Sequence, residues 1–157
     1  MESQLNILAE SLDKKLEVLK EIQAYNEEQE KSFTCGRADL DNFDVAVEKK
    51  GQLIEKLQRL DAGFETMYAK LSEELKGNRE RYAKQIKVLK QKVSEVTELS
   101  VTVQAQEKRN KKLVEEYFAR EREGIRSNRK TSKAAYDYYK NMNHSNYIPP
   151  QFMDSKK

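Results

Sequence analysis

The sequence predicts an all-α protein: three long helices running up, down and up in an antiparallel, coiled-coil-like bundle. Three observations carry this. No proline occurs before Pro149, so nothing in that stretch removes a helical N–H or clashes with the preceding turn. Apolar residues recur at alternating spacings of three and four, which puts them on one helical stripe. Charged residues (36%) nearly equal hydrophobic ones (37%), with basic and acidic side chains interspersed, the composition of solvated helices around a thin core.

The first helix is placed over about Ser3 to Phe33. Leu5, Leu8, Leu12, Leu16, Leu19, Ile22 and Tyr25 form its stripe, before Asn26, Gln29 and neighbouring glutamates dilute it. Thr34, Cys35 and Gly36 end it. Asp39 or Asp41 can accept hydrogen bonds from the free N–H groups that open the second helix. That helix carries Phe43, Val47, Ile54, Leu57, Leu60, Phe64, Met67 or Tyr68, Leu71 and Leu75 inward. Its interior Gly51 and Gly63 each cost roughly 1 kcal/mol relative to alanine, so they mark either close helix contacts or a mildly weakened surface. Gly77-Asn78 stops it. The third helix starts near Arg79 and reaches at least Glu123, where Gly124 offers a hinge or stop. From Tyr82 it keeps one heptad register through Ile86, Leu89, Val93, Val96, Ser100, Val103, Glu107, Asn110, Val114 and Tyr117, with apolar content thinning toward the end.

Short hairpins make neighbouring helices antiparallel. With about 31 residues in the first helix and about 36 in the second, at roughly 1.5 Å per residue, the third helix passes the end of the first near residue 110 and of the second near residue 115. This overhang carries Leu113, Val114, Tyr117, Phe118 and Ile125, followed by Ala134, Ala135, Tyr136, Tyr138, Tyr139 and Met142. Apolar and aromatic side chains without an internal partner imply a fold-back fourth helix, self-association into a homodimer, or a client. The segment Thr131 to Met142 can fold back on Leu113 to Phe118; equally, Tyr136, Tyr139 and Met142 can contact a partner, since tyrosine combines large area with few rotatable bonds. The chain thus divides into a bundle over 1–123, a basic, Tyr-rich extension or lid over 124–142, and a flexible tail over 143–157. In the tail, Tyr147, Ile148, Phe152 and Met153 are isolated anchors, suited either to disorder or to a short docking segment.

Several function classes are disfavoured. The longest apolar run is only a few residues, and the acidic, Leu-rich start lacks a signal-peptide layout, which predicts a cytoplasmic protein without stable membrane insertion. Cys35 is the only cysteine and reads as an incidental turn thiol. The one histidine, His144, has no carboxylate or cysteine at ligand spacing, and no phosphate-cradling glycine loop occurs; neither a metal, a cofactor nor an enzyme is predicted. Arg126, Arg129, Lys130 and Lys133 form a basic run, but the net charge is only +3 and no groove-reading motif accompanies them, so nucleic acid is not predicted as a partner.

The run Glu48-Lys49-Lys50-Gly51-Gln52-Leu53-Ile54-Glu55-Lys56-Leu57 with Leu60 resembles the EKxxLIxxL pattern in the second helix of FlgN-type flagellar export chaperones. Asn110-Lys111-Lys112-Leu113-Val114-Glu115 is similar to that family's N-x-x-L-[LV]-E signature. The ending Phe152-Met153-Asp154-Ser155-Lys156-Lys157 resembles the aromatic-Asp-Lys-Lys tails of some members. The resemblance implies a cytoplasmic chaperone of flagellum assembly by type III secretion. Such a chaperone binds the C-terminal helical segments of hook-associated proteins (FlgK- and FlgL-like), prevents their premature assembly and delivers them to the export gate protein (FlhA-like). On this reading, client binding falls on Asn110, Leu113, Val114, Tyr117, Phe118, Ile125, Tyr136, Tyr139 and Met142, and gate docking on Tyr147 and Phe152. A generic coiled-coil adaptor or structural dimer would use the same heptads without a dedicated secretion client.

Overall fold

The computed structural model describes residues 2–35, 40–120 and Tyr138. It contains three helices, α1 (Glu2–Thr34), α2 (Leu40–Lys76) and α3 (Ala83–Arg120), and no strand among the described residues. The helices end where the local chemistry stops them. Thr34 Oγ1 donates to the Glu30 carbonyl at 2.7 Å and the Cys35 N–H to the Lys31 carbonyl at 3.0 Å, satisfying acceptors left free at the end of α1. At the end of α2, Asn78 donates through its side chain to the Glu74 carbonyl and through its backbone N–H to the Leu75 carbonyl, both at 3.0 Å. Asp41 lies in the first turn of α2, where a carboxylate favours the helix dipole. Gly36 and Asp39 lie outside the described residues.

α1 is the central element, packed against both α2 and α3. Its contacts with α2 step in opposite chain directions: Lys15 with Asp61, Lys50 with Asn26, and Phe33 with Phe43. Its contacts with α3 step together: Asp13 with Lys92, Asn26 with Gln106, and Phe33 with Tyr117. This is the predicted up-down-up order. The core is a single cluster running from Leu5, Leu71 and Leu89 through Leu19, Ile54 and Val96 to Phe33, Phe43 and Val114. Each fully buried aliphatic or aromatic side chain of this kind contributes about 1.5–3 kcal/mol over its exposed state.

One sequence expectation changes, and one pair of alternatives is decided. α3 does not lose its neighbours near residue 110. The segment 77–82 forms turns rather than helix, so α3 starts farther along the chain than Arg79 and its residues stand level with later residues of α1. Tyr117 therefore still meets Phe33, ring centroids 5.4 Å apart. Gly51 and Gly63 are not sites of close helix approach, because a Cβ at either would meet nothing within 4 Å. Glu123, Gly124 and the proposed lid lie outside the described residues, apart from Tyr138, which is buried in the core cluster.

Candidate functional site

At the α1–α2 hairpin end the bundle carries a layer of polar side chains beneath an aromatic cap. The polar layer follows from register. Asn26 and Gln29 continue the three-and-four spacing of α1 after Leu19 and Ile22. Lys50 falls between Val47 and Ile54 on α2, and Glu107 and Asn110 lie between Val103 and Val114 on α3. All five are buried.

The Lys50 ammonium donates to Asn26 Oδ1 and Gln29 Oε1, each at 2.9 Å, and to the Glu107 carboxylate at 3.3 and 3.4 Å. An ammonium has three N–H donors, and three acceptor groups surround it. Asn26 Nδ2 donates to Gln106 Oε1 at 3.4 Å, and Asn110 Nδ2 to the Asn26 backbone carbonyl at 3.0 Å. The Tyr138 hydroxyl donates to Glu107 Oε1, and its ring faces the Lys50 ammonium. Burial lowers the Lys50 pKa below its ordinary value, with the charge and hydrogen bond of Glu107 opposing that shift. No buried polar side-chain atom among the described residues lacks a partner, as a low-dielectric interior requires.

Above this layer, Phe33 meets Phe43 edge-on at 5.2 Å between centroids, Tyr117 packs on Phe33, and Phe118 stands 5.6 Å from Tyr117. Edge-to-face pairs contribute about 0.5–1.5 kcal/mol beyond the area they bury. Phe33 and Phe43 are buried, whereas Leu113, Tyr117 and Phe118 are only partly covered and border solvent at the end of α3. Of the residues assigned to client binding from sequence, the structure thus brings Leu113, Tyr117 and Phe118 together at the surface. It places Asn110 and Val114 beneath them, inside the bundle. Ile125, Tyr136, Tyr139, Met142, Tyr147 and Phe152 lie outside the described residues.

Sequence reasoning missed the inward positions of Lys50, Asn26 and Gln29, and gave Tyr138 no specific contact. For the first three a signal existed, because they occupy the seam positions of their helices. Among the described residues, no cluster of histidine, cysteine or acidic side chains could hold a metal ion. No described helix is long and apolar enough to cross a membrane.

Length, register and the polar layer beneath the aromatic cap together describe a slender three-helix bundle whose α3 end carries the partly covered Leu113, Tyr117 and Phe118. The model of the FlgN protein family matches residues 1–144, spanning all three helices and Tyr138. The chain belongs to the FlgN protein family. Neither a curated protein nor a solved structure gives a significant match. Membership implies a chaperone role in flagellar export with hook-associated proteins as clients, and the FlgN chaperone family is non-enzymatic and cytoplasmic.

Proposed function

We propose that this FlgN-family chaperone works in the cytoplasm, holding the C-terminal helical segment of a hook-associated protein against the hairpin end of α3. Leu113, Tyr117 and Phe118 form the direct contacts, and Asn110 and Val114 fix the helix face beneath them. The observation that carries this reading is the partial exposure of three large apolar or aromatic side chains on adjacent turns of one helix end. A client helix that buries its apolar stripe in a polymer stays soluble beforehand only if that stripe is masked, and helix-on-helix docking does so. A small interface of this kind is reversible, which suits hand-off to an export machine. Ile125, Tyr136, Tyr139 and Met142 extend the same client surface. Tyr147 and Phe152, isolated aromatics near the end of the chain, dock on the export gate protein.

Co-elution of the full-length chain with client and with the cytoplasmic domain of the gate tests the division of labour. Tyr147→Ala with Phe152→Ala should retain the client and lose the gate, and Leu113→Asp should do the reverse. A tail variant that loses the client while keeping the gate would contradict this assignment.

A further inference from the structure

The face made by α1 and α2 carries two clefts that no α3 residue lines. Ile7, Ser11 and Lys14 of α1 border one with Leu60, Gly63 and Met67 of α2; nearer the hairpin, Tyr25 and Glu28 border the other with Asn42 and Ala46. Apolar surface is left open here. Ile7 is 47% exposed, Leu60 and Met67 are only partly buried, and at Gly63 nothing lies within 4 Å of where a Cβ would be. Charge is sorted across the same face. Glu10, Glu17, Glu21 and Glu28 follow one another along α1 at intervals of seven, four and seven, and Lys49, Lys56 and Arg59 along α2 at intervals of seven and three. Such spacings keep each set on one helical edge, and Glu10 and Arg59 stand on opposite rims of the first cleft. All seven side chains are exposed, and none forms an ion pair with another described residue.

The two rows also match in height along the bundle. The α1–α2 contacts Lys15–Asp61, Asn26–Lys50 and Phe33–Phe43 each join residues whose numbers total 76. By that rule Glu17 is level with Arg59, Glu21 with Lys56 and Glu28 with Lys49. Lys14, a cation on the acidic side, is level with Gly63, which presents no side chain. A two-fold axis parallel to the helices preserves every height and exchanges left with right. It sets α1 of one copy over α2 of the other, twice over, so each acidic row meets a basic row at matching levels. A two-fold axis across the helices would set α1 over α1, acid against acid, which is unfavourable.

We propose that the chain pairs with a second copy of itself through the α1–α2 face, about a two-fold axis parallel to the helices. Glu17, Glu21 and Glu28 of each copy meet Arg59, Lys56 and Lys49 of the other, and Ile7, Leu60 and Met67 supply apolar contact between the charged rows. The pairing is independent of the client surface proposed above, because Leu113, Tyr117 and Phe118 belong to α3, which contributes nothing to either cleft.

Sedimentation equilibrium of the full-length chain, over a range of concentrations, tests the pairing with two charge-reversed variants. One carries Glu17→Lys, Glu21→Lys and Glu28→Lys; the other carries Lys49→Glu, Lys56→Glu and Arg59→Glu. The wild type should sediment as a reversible dimer. Each variant alone sets like charges against like and should raise the dissociation constant about a hundredfold or more. An equimolar mixture of the two should dimerise as the wild type does, because each supplies the rows that the other needs. All six positions are exposed, so circular dichroism should show both variants as helical as the wild type, and Arg59→Glu alone should weaken pairing in the same direction. Phe118→Asp should leave it unchanged. A wild type that stays monomeric would overturn the proposal and assign the face to a different partner. So would reversed variants that dimerise unaided, a mixture that stays monomeric, or dissociation by Phe118→Asp, which would move the contact to the end of α3.

Discussion

Lys50 of α2 and Glu107 of α3 form a buried ion pair, Nζ to Oε1 3.3 Å, at the level where Asn26 and Gln29 of α1 complete the coordination of the ammonium. Such a pair contributes little net stability, since desolvating both charges offsets their attraction. Its effect is on alignment. A heptad seam of leucines and valines tolerates slippage along the helices, whereas a slip of one helix by a turn would strand the ammonium without its three acceptors. The polar layer thus fixes the relative heights of α1, α2 and α3, and with them the place where Phe33 meets Tyr117.

Removing one partner should be far worse than removing both. Lys50→Met or Glu107→Leu alone leaves an uncompensated buried charge and should lower stability by about 3–5 kcal/mol. The double variant should recover most of that loss, as measured by urea denaturation. Additive losses would show that the pair is not coupled.

Stability should depend on Lys50 in the alkaline range. Burial lowers its pKa from the ordinary 10.5, so between that lowered value and 10.5 the unfolded chain binds more protons than the folded one, and stability rises with pH. The contribution is complete above 10.5, falls as pH drops through the window, and is constant below the folded pKa. The difference in thermal midpoint between wild type and Lys50→Met should therefore shift in favour of wild type as pH approaches 10.5. A difference independent of pH over that range would contradict the assignment.

The aromatic cap depends on Phe33, which touches both Phe43 and Tyr117. Phe33→Ala should cost about 3–5 kcal/mol, the usual range for emptying a buried aromatic site. The loss should appear in chemical denaturation, with helical content preserved at low denaturant.

Gly51 and Gly63 sit inside α2 with open space where a Cβ would lie. Alanine at either position should stabilise the protein by roughly 0.5–1 kcal/mol, through helix propensity and a less flexible unfolded chain. A raised thermal midpoint checks this; a lowered one would reveal a contact that the free space does not suggest.

Much of the fold was legible in the sequence because the heptad register is a geometric constraint that survives changes of residue type. The α3 series from Ile86 to Tyr117 reads correctly even at Ser100, Glu107 and Asn110, all of which are buried. On α1 and α2 residue type obscures the register. Asn26 and Gln29 look like dilution of an apolar stripe, and Lys15 and Lys50 look like solvated charges, because polar residues in helices usually are. Each nevertheless holds a seam position, and position outweighed chemistry once partners were present: Asp61 for Lys15, and Glu107, Asn26 and Gln29 for Lys50. Those partners come from other helices, so no local pattern announces them. The extent of the α3 overhang is not legible in the sequence for a simpler reason: the length consumed by the turns after Gly77 depends on hydrogen bonds such as that from the Tyr82 N–H to the Asn78 carbonyl, 3.2 Å. The Tyr138 hydroxyl meets Glu107, 31 residues earlier, a contact that helical spacing does not encode.

The most direct measurement is calorimetric titration of a hook-associated protein's C-terminal helical segment into the wild-type chain, Phe118→Asp and Val101→Asp. Phe118 is partly buried at the proposed client surface, whereas Val101 is 58% exposed on α3, outside the packed seam. Phe118→Asp should weaken binding by about 2 kcal/mol or more, as for an interface anchor, in a bundle that stays folded with a thermal midpoint lowered by the lost Tyr117 contact, and Val101→Asp should bind as wild type does. Equal affinity of all three proteins, or a loss in Phe118→Asp matched by unfolding of the bundle, would contradict a client site at the end of α3.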